Sequence, residues 1–135
     1  EWGDVEATIA LDGTRYTPDA LAGLDAFSHV DVVYCFHLLD PAEIVLGTRR
    51  PRGNPDWPEV GIFAQRGRVR PNRLGVSTAE IVSVDGLEVR VRGLDAVDGT
   101  PVLDLKPHMS GFAPRTQVRE PDWPLEIMRD YWHRP

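Results

Sequence analysis

An Asp-Gly pair set between two apolar runs constrains the fold of this chain more than any other feature. The runs are residues 79–84 and 87–92, and Asp85-Gly86 lies between them. An Asp-Gly pair in this setting is the strongest short-range signal of a β-hairpin. In the second run apolar and charged residues alternate, so we expect one face of that strand to lie in solvent.

Other short apolar runs, separated by turn residues, predict further strands. We predict strands over residues 5–11 and 102–107, and a central strand, buried on both faces, over residues 30–39. About six short strands with little helix are typical of a small barrel or sandwich. We therefore predict a mostly β fold, a single-domain small β-barrel with short peripheral helices, over residues 1–135.

Two short helices are predicted at the periphery of this fold. Thr17 is a candidate N-cap with Pro18 at the first helical position, and Gly23 limits this helix to a turn or two. A second helix is predicted over residues 124–132, within a C-terminal tail formed by residues 111–135.

Composition and charge exclude several classes of protein. The net charge of −6 argues against a general nucleic-acid coat, and no apolar run is long enough to cross a bilayer. Cys35 is the only cysteine, which excludes an internal disulfide and favours a reducing, cytoplasmic location. The four histidines are far apart and lack a cysteine cluster, so no metal site is expected.

Positive charge is concentrated in one zone of an otherwise acidic chain. Residues 49–73 hold seven arginines, half of the chain's total. The arginine loop, residues 61–77, lies between two candidate strands, and such a loop suits a carboxylate, a phosphate or a nucleic acid. A solvated basic turn is the alternative interpretation. The preceding stretch, residues 40–59, is typical of a functional flap or of a mobile surface loop.

Two aspartates lie three residues apart in a turn-rich segment, at Asp95 and Asp98. Their carboxylates could bind a metal or accept hydrogen bonds from the hydroxyls or the amine of a ligand. Spacing alone favours a simpler interpretation, in which they accept hydrogen bonds from the backbone of their own turn.

Three blocks of sequence resemble a known family. FAQRGRVRPNRLGVS (residues 63–77) and GLDAVDGTPVLDLKPH (residues 93–108) are similar to the paired signature of the TrmO (TsaA-like) family. That signature reads close to FATRSPFRPNPIGLS and LDLVDGTPVLDIKPY. Residues 24–30, LDAFSHV, resemble the family's LEGFSHIW segment, and the similarity covers roughly residues 20–110.

The resemblance implies an S-adenosylmethionine-binding β-barrel that works as a homodimer. It also implies methyltransferase activity, because the family N6-methylates threonylcarbamoyladenosine beside the anticodon of certain tRNAs. The matching motifs imply cofactor binding by His37, Leu38, Phe63, Arg66, Val76, Leu94, Asp95, Gly99 and Thr100. They imply polar groups near the reacting centre at Asp98 and Lys106. The expected tRNA-binding residues are Arg49, Arg50, Arg68, Arg70, Asn72 and Arg73.

The chain departs from the family pattern within the arginine loop. Gln65 stands where the family has Thr, and Val69 stands where it has Phe. Arg68 and Arg73 replace prolines, so the loop becomes more basic.

Two other functions stay open on the same scaffold. One is a small-molecule methyltransferase whose arginines bind a carboxylate or phosphate of the acceptor. The other is a non-catalytic S-adenosylmethionine-binding module that regulates a partner. Four tryptophans are candidate anchors of a dimer interface, or else core residues: Trp2, Trp57, Trp123 and Trp132.

Overall fold

The structure, a computed structural model, describes residues 2–133 and is built mainly on β-strands. The described residues form β1 (Glu6–Ala10), β2 (His29–Cys35), β3 (Thr48–Arg49), β4 (Val60–Gly61), β5 (Leu74–Asp85), β6 (Glu88–Arg92) and β7 (Val102–Pro107). Their helical structure consists of α1 (Asp122–Met128) and short 3-10 turns. The mostly β prediction is confirmed, and β7 has the predicted ends.

Five strands form one antiparallel sheet in the order β1-β6-β5-β2-β7, and β3 pairs with β4 separately. The main core lies on one face of the large sheet. Val30 and Val32 of β2 pack there with Val89 and Val91 of β6, all fully buried. Between residues 2 and 133 no pairing joins the edge strands β1 and β7, so a closed barrel stays a prediction.

The central strand β2 is buried on one face only. Val30, Val32 and Tyr34 are buried, and the residues that alternate with them are half-buried. The prediction of a strand buried on both faces is therefore wrong. β2 also ends at Cys35 rather than at residue 39, because His37 donates its amide to the Cys35 carbonyl at 2.9 Å and turns the chain out of the sheet.

The predicted hairpin forms, but its turn lies one residue later than expected. Asp85 pairs with Glu88, so the two loop residues are Gly86 and Leu87. Gly86 takes a positive φ of 58°, which suits glycine at the first central position of a two-residue turn. Asp85 is therefore the last strand residue, and Leu87 lies in the turn rather than in the second strand.

A second, smaller core supports the long stretch that precedes the arginine loop. Leu39, Ile62 and Val69 are buried together there. The flap, residues 40–59, contains two 3-10 turns and the strand β3, which pairs with β4. Ile44 and Val45 of the flap pack against this second core, which favours the functional flap over the mobile surface loop.

The predicted helices are shorter than expected. The first is a single 3-10 turn, Pro18–Leu21, and α1 ends four residues before the predicted end. The expected apolar side of α1, formed by Leu125, Met128 and Trp132, is exposed rather than packed on the core. No helix in residues 2–133 is long and apolar enough to pass through a membrane. Three tryptophans are half-buried: Trp2, Trp57 and Trp123.

Candidate functional site

The candidate site lies at the end of the sheet where β2 stops and where β5 and β7 begin. Cys35 pairs with Leu74 of β5, and its amide donates to the Pro101 carbonyl at 3.0 Å, just before β7. Residues 93–101 return to this end after β6 has finished. The antiparallel order therefore brings the arginine loop and the Asp95 segment to one edge of the fold.

Two tyrosine hydroxyls hold the carboxylate of Asp95. Tyr34 donates to Asp95 Oδ1 at 3.0 Å and to the Asp95 carbonyl oxygen at 3.3 Å. Tyr131 donates to Asp95 Oδ2 at 2.5 Å. These donors come from β2 and from the C-terminal segment rather than from the turn that contains Asp95.

Arg66 attaches the arginine loop to β5. Its Nη2 donates to the carbonyl of Val76, in β5, at 2.7 Å. Burial raises the pKa of Tyr34 and of Tyr131 well above the usual phenol range, and the charge of Asp95 raises both further. The positive charge of Arg66 lowers the pKa of both tyrosines, so the guanidinium lies within electrostatic reach of the two hydroxyls.

The raised tyrosine pKa values predict a loss of stability in alkali. The unfolded chain loses its phenolic protons first, so stability that is fully present below about pH 10 falls as the pH rises toward the folded-state values. Tyr34→Phe is expected to reduce this loss. Urea denaturation of both proteins, from about pH 7 to about pH 11, checks it, and equal alkaline losses would contradict the expectation.

His37 and the turn that contains Gly99 form a second group at the same end of the sheet. A side-chain carbon on Gly99 would lie 3.8 Å from His37 Nε2. Gly99 has a φ of 82°, and Thr100 closes the turn by donating its amide and its hydroxyl to the Val97 carbonyl at 3.2 and 2.6 Å. The structure thus brings three of the predicted cofactor residues together.

The apolar residues predicted to bind the cofactor differ in exposure. Leu38 and Phe63 are 72% and 75% exposed, and Val76 is also exposed. Leu94 is buried in the main core, so its side chain anchors the segment that carries Asp95. Large apolar side chains that are left exposed in the segments of a candidate site are typical of a surface that a ligand or a partner covers.

Three arginines of the predicted tRNA-binding set support the flap and the arginine loop. Arg49 Nε donates to the Arg50 carbonyl at 3.3 Å, and Arg50 Nη1 donates to the Trp57 carbonyl at 2.6 Å. Arg70 Nη1 donates to the Gln65 carbonyl at 2.7 Å. Each guanidinium has further N–H donors, so these contacts leave donors available for the predicted binding of phosphates.

The remaining members of that set lie on the outside. Arg68 forms an ion pair with Glu43 at 3.6 Å, and Asn72 is exposed. Arg73 has a positive φ of 54°, as does Arg52 of the flap at 53°. A left-handed backbone at such residues costs about 1–3 kcal/mol and is concentrated at functional sites. Two arginines share this conformation at the face where an anion is expected.

Asp98 and Lys106, the predicted polar groups near the reacting centre, lie apart. Asp98 is exposed at the tip of the turn beside Gly99. Lys106 forms an ion pair with Asp104 at 2.8 Å and pairs in the sheet with Asp31, on the face opposite Tyr34. The structure therefore brings Asp98 to the site edge and does not bring Lys106 there. Within residues 2–133 no three metal-binding side chains are grouped for an ion.

Gln65 is a structural residue that the sequence showed only as a departure from the family pattern. Its side chain is buried, and its Nε2 donates to the carbonyls of Arg49 and Val60 at 2.9 and 3.0 Å. The longer amide reaches two backbone acceptors at once, so it joins the arginine loop to the flap. Val69, the other departure, is buried in the second core.

Sequence reasoning missed Tyr34, Tyr131 and Arg52. Tyr34 lies in an apolar run that predicts a strand, and only its hydroxyl marked it as a possible partner for a distant carboxylate. Tyr131 follows the predicted family blocks and has no motif around it. The positive charge of Arg52 lowers the pKa of Tyr131, and Trp57 of the same flap donates to Glu126 of α1 at 2.7 Å, so the flap contacts the C-terminal segment.

Known proteins share this sequence and this fold. A family model described as the tRNA-methyltransferase O N-terminal domain matches residues 2–113. The probable S-adenosyl-L-methionine-binding protein VirR of Rhizobium radiobacter is 40% identical over 101 residues, which are 75% of this chain and 55% of that protein. The tRNA (adenine(37)-N6)-methyltransferase of Escherichia coli is 39% identical over 97 residues, 67% of this chain and 40% of that enzyme.

The fold is also shared with a solved structure. The crystal structure of TrmO from Pseudomonas aeruginosa matches with a TM-score of 0.68 and 27% identity, over 87% of this chain and 48% of that one. The chain spans about half the length of the relatives it matches. The family match contains both the arginine loop and the segment that carries Asp95. The chain therefore belongs to the family of tRNA-methyltransferase O N-terminal domains.

Proposed function

We propose that this chain binds S-adenosylmethionine at Asp95 and Arg66 and methylates threonylcarbamoyladenosine at N6, next to the anticodon of tRNA. One observation carries the proposal: at the end of the sheet two tyrosine hydroxyls hold the Asp95 carboxylate, and the Arg66 guanidinium lies within electrostatic reach of both hydroxyls. The names of the relatives support it, since one is a probable S-adenosylmethionine-binding protein and another a tRNA methyltransferase.

The residues present fit the chemical groups of S-adenosylmethionine. A guanidinium such as that of Arg66 pairs well with the carboxylate of an amino acid. Each carboxylate oxygen of Asp95 accepts one hydrogen bond from a tyrosine hydroxyl. A further acceptor site on each oxygen can take a ribose hydroxyl or an amine. Leu38 and Phe63 offer apolar surface for an adenine ring.

When bound, S-adenosylmethionine supplies a methyl group on a positively charged sulfur. The chain then has to hold the acceptor in line with that methyl group and exclude water. A general base is unnecessary if the acceptor loses its proton after transfer. Asp98 and Lys106 remain the proposed polar groups, and Asp98 is the better placed because it adjoins Gly99. Lys106 lies on the other face of the sheet, so it would contact an acceptor only if the acceptor bound to that face.

The arginines of residues 49–73 are proposed to bind the anticodon loop. Arg68 and Asn72 are exposed there, and Arg49, Arg50 and Arg70 line the same loop and flap. A base that receives a methyl group has to leave its stack and enter the pocket, as in other base-modifying enzymes. Positive charge on an otherwise acidic chain would hold the phosphates on either side of that base.

Calorimetric titration of S-adenosylmethionine into the 135-residue protein tests the proposal first. We expect saturable binding, followed by transfer of a labelled methyl group to tRNA that carries threonylcarbamoyladenosine. Absence of binding would contradict the proposed cofactor site. Binding with turnover on small acceptors alone would support the small-molecule methyltransferase, and binding without turnover would support a non-catalytic module of the kind that the name of VirR suggests.

Binding of tRNA is expected to weaken steeply with salt. If about three arginines each neutralise a phosphate, affinity should fall about twentyfold between about 50 and about 200 mM salt. Filter binding over this range measures the slope, and Arg73→Ala should make it shallower. Arg115→Ala, at an exposed arginine of the tail, removes the same charge and should leave the slope unchanged. A slope near zero would contradict a phosphate-binding face.

A homodimer, a cytoplasmic location and a closed barrel are proposed with this function. The proposed dimer interface would cover four apolar side chains that are exposed in the structure: Leu38, Phe63, Leu74 and Leu103. Sedimentation is expected to show dimers at tens of micromolar, roughly where moderate association saturates. Monomers alone at that concentration would contradict the dimer. A closed barrel would additionally require β1 and β7 to pair.

A further inference from the structure

We propose that the C-terminal segment, residues 122–133, forms one wall of the ligand site, and that Tyr131 is the positioning residue that orients Asp95 toward the ligand. The proposal deepens the function proposed above and rests on it. Its starting observation is the contact between Tyr131 and Asp95 Oδ2. The family match ends at residue 113, so this wall is supplied by a part of the chain beyond the match.

The two tyrosines fix the plane of the carboxylate. Tyr34 donates to one oxygen and Tyr131 to the other, from opposite ends of the sequence. Each carboxylate oxygen can accept about two hydrogen bonds, so each keeps one position free. With both oxygens held, Asp95 presents those free positions in one direction. Without the Tyr131 hydroxyl, the carboxylate could rotate about its last side-chain bond.

The C-terminal segment is attached at points that hold Tyr131 in place. Trp2 donates its amide to the Tyr131 carbonyl at 3.1 Å, and Gly3 donates its amide to the Trp132 carbonyl at 3.1 Å. Gly3 has no room for a side chain, because a carbon there would overlap the Trp132 carbonyl oxygen. The rings of Tyr131 and Trp132 also pack edge to face, with centroids 4.8 Å apart.

The same segment is also attached to the flap. Trp57 Nε1 donates to Glu126 Oε2, in α1, at 2.7 Å. Arg52, in the same flap, lies within electrostatic reach of the Tyr131 hydroxyl. The segment therefore spans from the N-terminal residues, over Asp95, to the arginine-bearing flap. A segment attached at both ends in this way is well placed to fix the position of Tyr131 against Asp95.

Titration of S-adenosylmethionine into Tyr131→Phe tests the proposal. The substitution keeps the ring and removes only the hydroxyl, so the fold should be retained. A hydrogen bond to a charged group contributes enough that we expect affinity to fall about tenfold. Tyr16→Phe, at an exposed tyrosine outside the site, is the matched control and should bind as the parent does.

A double-substitution cycle separates orientation of Asp95 from a purely structural role. In an Asp95→Ala background, Tyr131→Phe should cause no further loss of affinity, because the two residues act as one unit. An equal loss in both backgrounds, or no loss in the parent, would overturn the proposal. Tighter binding by Tyr131→Phe would also overturn it, because the hydroxyl would then compete with the ligand. A parent that binds no S-adenosylmethionine would overturn the proposed function, and this proposal with it.

Discussion

Gly75→Ala is expected to destabilise the protein by about 3 kcal/mol, at the upper end of the usual cost of overpacking a core. A carbon added at Gly75 would lie 2.6 Å from two ring carbons of Tyr34 and 3.0 Å from Phe36. The Tyr34 ring has little freedom to move, because it is buried, packs against Phe36 and is bound to Asp95 through its hydroxyl. The substitution should therefore disturb the site as well as the core.

Urea denaturation measures this effect, and Gly61→Ala is its control. Nothing lies within 4 Å of a carbon added at Gly61, whose φ of −61° suits alanine. That change should leave stability unaltered or raise it by about 0.5 kcal/mol through the unfolded chain. Equal stabilities of the two variants would show that the Tyr34 ring moves aside freely, and would contradict the close packing described above.

Arg66→Ala is expected to lower the affinity for S-adenosylmethionine about 100-fold. The substitution removes the positive charge that lies within electrostatic reach of the Tyr34 and Tyr131 hydroxyls, and it leaves the Val76 carbonyl without its side-chain donor. Loss of one charge-assisted contact in a site of this kind typically costs about 2–3 kcal/mol. Calorimetric titration gives the affinity, and thermal denaturation shows whether the variant is folded.

The control for Arg66→Ala has to remove the same charge elsewhere. Arg115→Ala does so in an exposed part of the tail, and its affinity should match that of the parent. If both variants bound equally well, the cofactor carboxylate would have to be bound by another group, and the assignment of Arg66 would be wrong. If both lost affinity equally, the effect would come from the overall charge of the chain.

The strand pattern was predictable wherever alternation was local. Val89 and Val91 alternate with charged residues, and both are buried in β6 as expected. The turn between β5 and β6 was placed one residue early, because an Asp-Gly pair signals a turn without fixing which of its residues pair. The burial of β2 was overestimated, because an unbroken apolar run does not show which face of the strand is less buried.

The site was predictable only in part. The family blocks identified Arg66 and Asp95, whereas the apolar run that contains Tyr34 predicted only a strand. The hydroxyl of Tyr34 meets a carboxylate 61 residues away, and that of Tyr131 meets the same group from 36 residues away. Contacts over such separations depend on the strand order, which no local pattern specifies.

The two separate cores could let the flap change in sequence while the sheet keeps its packing. Leu39, Ile62 and Val69 support the flap and the arginine loop, while the large sheet and Leu94, next to Asp95, belong to the main core. Phe36 packs against both. Surface arginines on the flap can therefore be exchanged with little strain on the sheet. Substitutions at exposed flap residues could then change which molecules bind there, while Asp95 and the tyrosine Tyr34 that holds it stay unchanged.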